Sequence, residues 1–308
     1  MDGQKGAPVR LIETSIGQRG RYICLSHCWG DPKYHPRPLE TNYESLKRHR
    51  EEIPWESLPK TFQDAVSFVR LLGESYIWID SLCIVQDCSE DWRQEASKMA
   101  DIYMNSYLTL AATKSNDSTE GLFSMSDDKY KPYPYEVEEN GSTYTVHYRK
   151  SLSHFFDKLD DRLEPTPLLQ RAWAYQERLL SPRTLHFGNQ ELLWECKEST
   201  TCQCGVQFRK WGQTCPKLDV LCRYGFYSRL WHRVVEDYSV LQLTKESDRL
   251  PAIAGIAKRV QSLRGSEDYL AGLWRGSLLE DLQWRRYSKL GDISLGRRDR
   301  SVAPSWSW

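Results

Sequence analysis

Tyr76-Ile77-Trp78-Ile79-Asp80 decides the fold. Four large apolar residues in succession, without polar alternation, describe a strand covered on both faces, so the stretch reads as central and parallel. It closes on Asp80 and Ser81, polar groups at the presumed carboxyl edge of a sheet. Just upstream, Phe62, Ala65, Val66, Val69 and Leu72 recur at helical spacing. Thr61 with Asp64 resembles a capping box, and Gly73 stands where a C-cap glycine ends a helix. Further upstream, Arg21-Tyr22-Ile23-Cys24-Leu25-Ser26 is a second strand, running out into His27-Cys28-Trp29-Gly30. Downstream, Asp91 is a good N-cap for a helix burying Trp92, Ala96, Met99, Ala100 and Tyr103. Tyr107-Leu108-Thr109-Leu110-Ala111-Ala112 is a third strand. This alternation predicts an α/β fold, a parallel sheet with helices on its faces. Such sheets bind ligands outside the carboxyl ends of their strands.

The pattern weakens between about 113 and 167, where Tyr144-Thr145-Val146-His147-Tyr148 alternates and predicts an inserted hairpin. A helix follows over 171–180, then the strand Thr184-Leu185-His186-Phe187, with Leu192-Leu193-Trp194-Glu195-Cys196 pairing beside it. Beyond 220 the chain reads as mainly helical, with candidates over 224–240 and Pro251–Leu263. The expected organisation is a core over 1–195 containing the insertion, and a mainly helical extension over 196–308 packed on it.

Forty per cent hydrophobic residues and twelve Trp support a substantial core. The 42 basic and 42 acidic side chains balance, so the basic excess typical of nucleic-acid binding is absent. No stretch approaches the roughly 20 apolar residues of a membrane span, and residues 1–10 lack the apolar run of a secretory signal. Nine cysteines, an odd number in a long chain without that signal, point to reduced thiols in the cytoplasm. Five of them, Cys196, Cys202, Cys204, Cys215 and Cys222, cluster, but one Cys-x-Cys with irregular gaps is not paired zinc knuckles, and no metal site is expected. No phosphate-loop or dinucleotide glycine fingerprint is present, which disfavours an NTPase or a dehydrogenase.

Several stretches resemble the fungal heterokaryon incompatibility (HET) family closely. They are Leu25-Ser26-His27-Cys28-Trp29-Gly30, Leu58-Pro59-Lys60-Thr61-Phe62-Gln63-Asp64-Ala65, the run from Tyr76 to Gln86, and Arg171-Ala172-Trp173-Ala174-Tyr175-Gln176-Glu177-Arg178. Asp91-Trp92, Tyr269-Leu270-Ala271-Gly272-Leu273-Trp274 and Ala303-Pro304-Ser305-Trp306-Ser307-Trp308 extend the resemblance to the last residue. The core also resembles a divergent TIR domain, a flavodoxin-like parallel sheet some of whose members cleave NAD. In that family the first strand ends in a Ser-containing loop, the second in Asp, and a later helix carries Trp-Cys-x-x-Glu with a catalytic Glu. Ser26 and Asp80 occupy the matching strand ends, and Trp173 and Glu177 keep the four-residue separation, with Ala174 in place of Cys.

The resemblance implies an NAD nucleosidase and cell-death effector, with NAD as substrate rather than as a resident cofactor. It also implies self-association and an upstream incompatibility or NLR-type partner. Glu177 is the catalytic candidate. Ser26, His27, Trp29, Gly30, Asp80, Ser81 and Trp173 are the candidates for holding the dinucleotide. Cleaving the nicotinamide–ribose bond develops positive charge on the sugar while a neutral group leaves, so one carboxylate suffices. Against this, from the residues alone Glu177 reads more readily as a surface partner of Arg178 or Arg183 or a helix ion pair, Trp29 equally as core packing, and Asp80 and Ser81 as a structural hydrogen bond capping a neighbouring turn. Glu95 is the second carboxylate candidate, though it reads more readily as exposed beside Arg93 and Lys98; Cys83 and His27 could in principle pair as nucleophile and base, but nothing fixes their geometry and Cys83 reads as a buried thiol. Two alternatives stand: a non-enzymatic, self-associating module that recruits a separate effector, and hydrolysis of another nucleotide in the same cleft.

Overall fold

A computed structural model describes residues 7–15, 17–150, 152, 166–205, 207–208, 217, 227–284, 304 and 306–308. Cys215, Cys222, Ala303, Ser305 and the expected helix start at 224–226 lie outside them.

The α/β reading holds. Strands β1 (Ile23–Ser26), β2 (Ile77–Ile79), β3 (Leu108–Ala111), β6 (Arg183–Phe187), β7 (Leu192–Cys196), β8 (Thr200–Cys202) and β9 (Gln207–Phe208) form one sheet in the order β2-β1-β3-β6-β7-β8-β9. β2, β1, β3 and β6 run parallel, and β6 to β9 continue as an antiparallel meander. The expected division at 195/196 falls inside β7, and the sheet runs on through β8 and β9. β4 (Tyr133–Glu139) and β5 (Ser142–Tyr148) make the inserted hairpin, apart from this sheet.

β2 is parallel as expected but lies at the edge of the sheet, not its centre. Its apolar run is explained by cover on both faces. Ile77 packs with the core under α2 (Lys60–Leu71), while Trp78 meets the edge of Tyr103 from α4 (Ser89–Asn105) at 5.6 Å.

Both predicted helix starts move upstream. α2 begins at Lys60 after Pro59, and its expected capping pair turns to tertiary contacts. Thr61 Oγ1 accepts the Gly121 amide and Asp64 accepts that of Leu122, stitching α2 to the loop after β3. α4 is capped by Cys88 rather than Asp91, whose carboxylate accepts the Val85 amide at 2.8 Å. Of the predicted α4 face, Met99, Ala100 and Tyr103 are buried, while Trp92 on the first turn is exposed. Gly73 ends α2 in the left-handed region, φ +73°, as expected.

α5 (Ala172–Leu180) follows, and its Ala174 packs with Cys28, Ala111 and Leu168 near the ends of β1 and β3. Its outer face packs on α6 (Tyr227–Ser239) and α7 (Pro251–Leu263) through Ala172, Leu179 and Leu180, in a core that also takes in Trp231, Trp274 and Trp308. The approach to α7 is close enough to require glycine: a Cβ on Gly255 would lie 2.2 Å from that of Ala100 and 2.7 Å from Gln176 Oε1. Gln176 Oε1 accepts the Gly255 amide at 2.8 Å. The other side of α5 faces the carboxyl edge of the parallel strands.

Candidate functional site

β1 delivers Ser26, the turn after β2 delivers Asp80, α4 delivers Tyr103 and α5 delivers Glu177 to one place. Glu177 is 6% exposed. Burial raises its pKa to about 7, and the negative charge of Asp80 pushes the same way. Hydrogen bonds from Ser26 and Tyr103 and the positive charge of Arg171 pull it back part of the way. The Tyr103 hydroxyl also lies 3.2 Å from the Leu25 carbonyl. A phenol has one proton to give, and an ionised carboxylate is the stronger acceptor, so Tyr103 serves Glu177 when Glu177 is charged.

Asp80 is held from two sides. The Trp29 indole N–H donates to Oδ2 at 2.9 Å and the Ser81 amide to Oδ1 at 2.7 Å. His27 Nδ1 stands 3.6 Å from Oδ1, too far for a hydrogen bond. Both ring nitrogens of His27, and the Ser81 hydroxyl, are buried without a hydrogen-bond partner among the described residues, as is the hydroxyl of Ser118. These side chains follow β1, β2 and β3 respectively. A buried polar group left unpaired costs roughly 1–3 kcal/mol, so three at one sheet edge mark a place that is not optimised for stability. Burial holds His27 neutral, its pKa down at about 4; Asp80 opposes this shift and Arg171 adds to it.

Arg171, the residue before α5, donates to the His27 carbonyl at 2.5 Å. Its backbone is anchored beyond the core by a bridge to Gln242, where the Ala172 amide donates to the Gln242 carbonyl. The sequence reading missed Arg171 and Tyr103. Both lay in view, one opening the recognised Arg171–Arg178 run and the other on the buried face of α4, but only the tertiary structure points them at Glu177.

The structure thus brings Ser26, His27, Asp80, Ser81 and Glu177 together with two unforeseen partners. The surface reading of Glu177 does not hold: Arg178 binds Glu195, and Arg183 donates to the Tyr107 carbonyl. Trp29 is partly exposed at the rim, with the Arg37 guanidinium 5.8 Å over its ring. Gly30 is corrected. It adopts φ +79°, but the space beside it is filled by the chain itself, since a Cβ would meet that of His35 at 2.5 Å and of Asp117 at 3.1 Å. Trp173 is corrected in part: its ring packs with Cys24 and Tyr103, while its indole nitrogen faces Asp248 at 3.3 Å, away from the carboxylate. Glu95 is bound to Lys98 at 2.8 Å on α4. Burial keeps the Cys83 thiol protonated, its pKa raised to about 12, which removes it as a nucleophile.

A parallel sheet whose first three strand ends and one later helix enclose a buried carboxylate, a second carboxylate and a neutral histidine defines the class: an α/β protein with its polar cluster at the carboxyl edge. The sequence model described as heterokaryon incompatibility protein (HET) matches residues 22–177, just over half of the chain, and the protein belongs to that family. The match opens one residue before β1 and closes on Glu177, so the whole cluster lies within it. No curated protein and no solved structure matches the chain. Among the described residues no helix is long and apolar enough to cross a membrane.

Proposed function

We propose that the HET core is a TIR-like nucleotide-cleaving module that hydrolyses NAD at the nicotinamide–ribose bond, with Glu177 as its catalytic carboxylate. One observation carries this reading: Glu177 is buried at the carboxyl edge beside Asp80 and Ser26, three positions that the TIR resemblance assigns independently. The order β2-β1-β3-β6, all parallel, is that of doubly wound flavodoxin-like sheets, which bind ligands where the order reverses beside the first strand. Ser26 and His27 stand at that point.

In the proposed reaction the bond from C1′ to the nicotinamide nitrogen breaks and its electron pair leaves with nicotinamide. The Glu177 carboxylate faces the sugar cation and strengthens as charge develops. Water adds at C1′ and surrenders a proton, giving ADP-ribose. Asp80, freed from Trp29, takes the ribose hydroxyls, and Arg171 supplies positive charge for the diphosphate. Since the ionised form of Glu177 acts, nicotinamide release is expected to rise through about pH 7.

The test is nicotinamide release from NAD by the purified protein at high concentration, beside Glu177→Gln. Release by the wild type alone supports the reading, and release by both moves the chemistry elsewhere. No release by either favours a self-associating, non-enzymatic module. That second reading has its own observation. Tyr133, Tyr135 and Val137 of β4 pair with Tyr148, Val146 and Tyr144 of β5, placing six exposed apolar side chains on one face of the inserted hairpin.

A further inference from the structure

The end of the β7–β8 hairpin holds a set of donors that cysteine spacing alone does not reveal. Leu193 of β7 pairs with Cys202 of β8 in antiparallel register, and the Gln203 amide bonds to the Leu192 carbonyl. Gln203 and Cys204 form the turn that leaves β8, and this turn brings Cys202, Cys204 and Glu191 to one side of the hairpin. Their donor atoms all lie within 4.8 Å of one another. The Cys204 amide donates to Glu191 Oε2 at 3.1 Å, fixing the carboxylate next to the sulfurs. Cys202 is 8% exposed and packs on Leu193, which gives the cluster a partly dry floor. In the structure the two sulfurs are joined as a disulfide.

We propose that in the reduced protein this hairpin end is a binding site for a thiophilic divalent cation of the zinc class, with the thiolates of Cys202 and Cys204 and the carboxylate of Glu191 as ligands. Two sulfurs and one oxygen select zinc-like ions over calcium or magnesium, which take all-oxygen sets. Tetrahedral coordination at zinc–sulfur distances near 2.3 Å asks for sulfurs about 3.8 Å apart. Cys202 and Cys204, with Cα atoms 5.3 Å apart, reach that separation by rotation about χ1. Three protein ligands leave a fourth position for water or another donor. The disulfide and the cation are mutually exclusive occupants of the same sulfurs. The site stands apart from Glu177 and does not depend on the NAD reading.

The test uses the full chain, stripped of metal by a chelator, reduced with a phosphine, and titrated with Co²⁺ as the spectroscopic probe and Zn²⁺ as competitor. A thiol count confirms reduction, and circular dichroism confirms that each variant is folded. The expected result is one equivalent bound with thiolate-to-cobalt charge-transfer absorption, displaced by Zn²⁺. Cys202→Ser removes that absorption, and Glu191→Gln, a milder change at a half-buried position, weakens binding at least about tenfold. Unreduced protein takes up no cobalt at this site. The proposal is overturned if reduced wild type shows no charge-transfer band, if the band survives either substitution unchanged, or if reduction makes no difference.

Discussion

Arg178 and Glu195 meet through two parallel hydrogen bonds, Nε to Oε2 at 2.9 Å and a terminal nitrogen to Oε1 at 3.1 Å. His186 Nε2 approaches the same carboxylate at 3.2 Å and Lys217 Nζ at 3.6 Å. The charges of Arg178 and Lys217, with a hydrogen bond from His186, which burial keeps neutral, hold the Glu195 carboxyl well below the usual carboxylate range despite its burial. One residue earlier on α5, Glu177 has no such cluster and is shifted the other way. Glu177 and Arg178, neighbours in sequence, thus enter different surroundings, because consecutive helical residues point about 100° apart.

Removing one member of this network leaves buried charge uncompensated. Glu195→Gln strands Arg178 and Lys217 and is expected to cost about 3–5 kcal/mol in urea unfolding. A loss below about 1 kcal/mol would show that water reaches the cluster.

Glu177 and His27 impose opposite pH slopes. The folded pKa of Glu177 is raised, so its contribution is fully present below the unfolded value near 4.5 and is lost as pH climbs through about 7. The folded pKa of His27 is lowered, so stability is lost as pH falls from about 6.5 towards 4. Between about pH 4.5 and 6.5 the two cancel. Glu177→Gln therefore gains relative to wild type by about 1.4 kcal/mol per pH unit in that window, to an upper bound near 3 kcal/mol. Urea titrations at several pH values check this, and parallel curves for variant and wild type would refute a buried, upshifted Glu177.

His27→Gln removes the other slope. Relative to wild type it is expected to gain stability as pH drops from about 6.5 to 4, with no pH-dependent difference above 7. A difference that grows towards alkaline pH instead would mean that His27 is charged in the folded state.

Gly255→Ala drives a methyl group into Ala100 and Gln176 at the contact of α7 with α5. Overpacking of this kind costs about 1–3 kcal/mol, read as a lower thermal midpoint. Since Gln176 precedes Glu177, nicotinamide release is also expected to fall under the proposed function. A fall in stability with undiminished release would uncouple α7 from the site.

Periodicity was legible wherever the chain repeats a simple rule. The apolar runs at Ile23–Ser26, Ile77–Ile79 and Leu108–Ala111 became the parallel strands, and the spacing of Phe62, Ala65, Val66 and Val69 became a buried helix face. The recognised Trp173 and Glu177 lie on a helix, and Glu177 reaches Ser26 and Asp80 across the long insertion that separates them in sequence. Local chemistry was less reliable. Thr61, Asp64 and Asp91 are good capping residues, yet each turns to a backbone amide elsewhere, because a tertiary partner competes for the same side-chain oxygen.

The sequence by itself determined the alternation of strands and helices, the family, and the residue types at each strand end. These follow from short-range patterns in which every residue reports on its neighbours. Only the tertiary structure decided that β2 lies at the edge, that Arg171 and Tyr103 join Glu177, that the space at Gly30 is taken by His35, and that Glu191 meets Cys202 and Cys204. Each depends on strand order, register or side-chain direction between segments far apart in the chain, and so on packing energies that no local window of sequence contains.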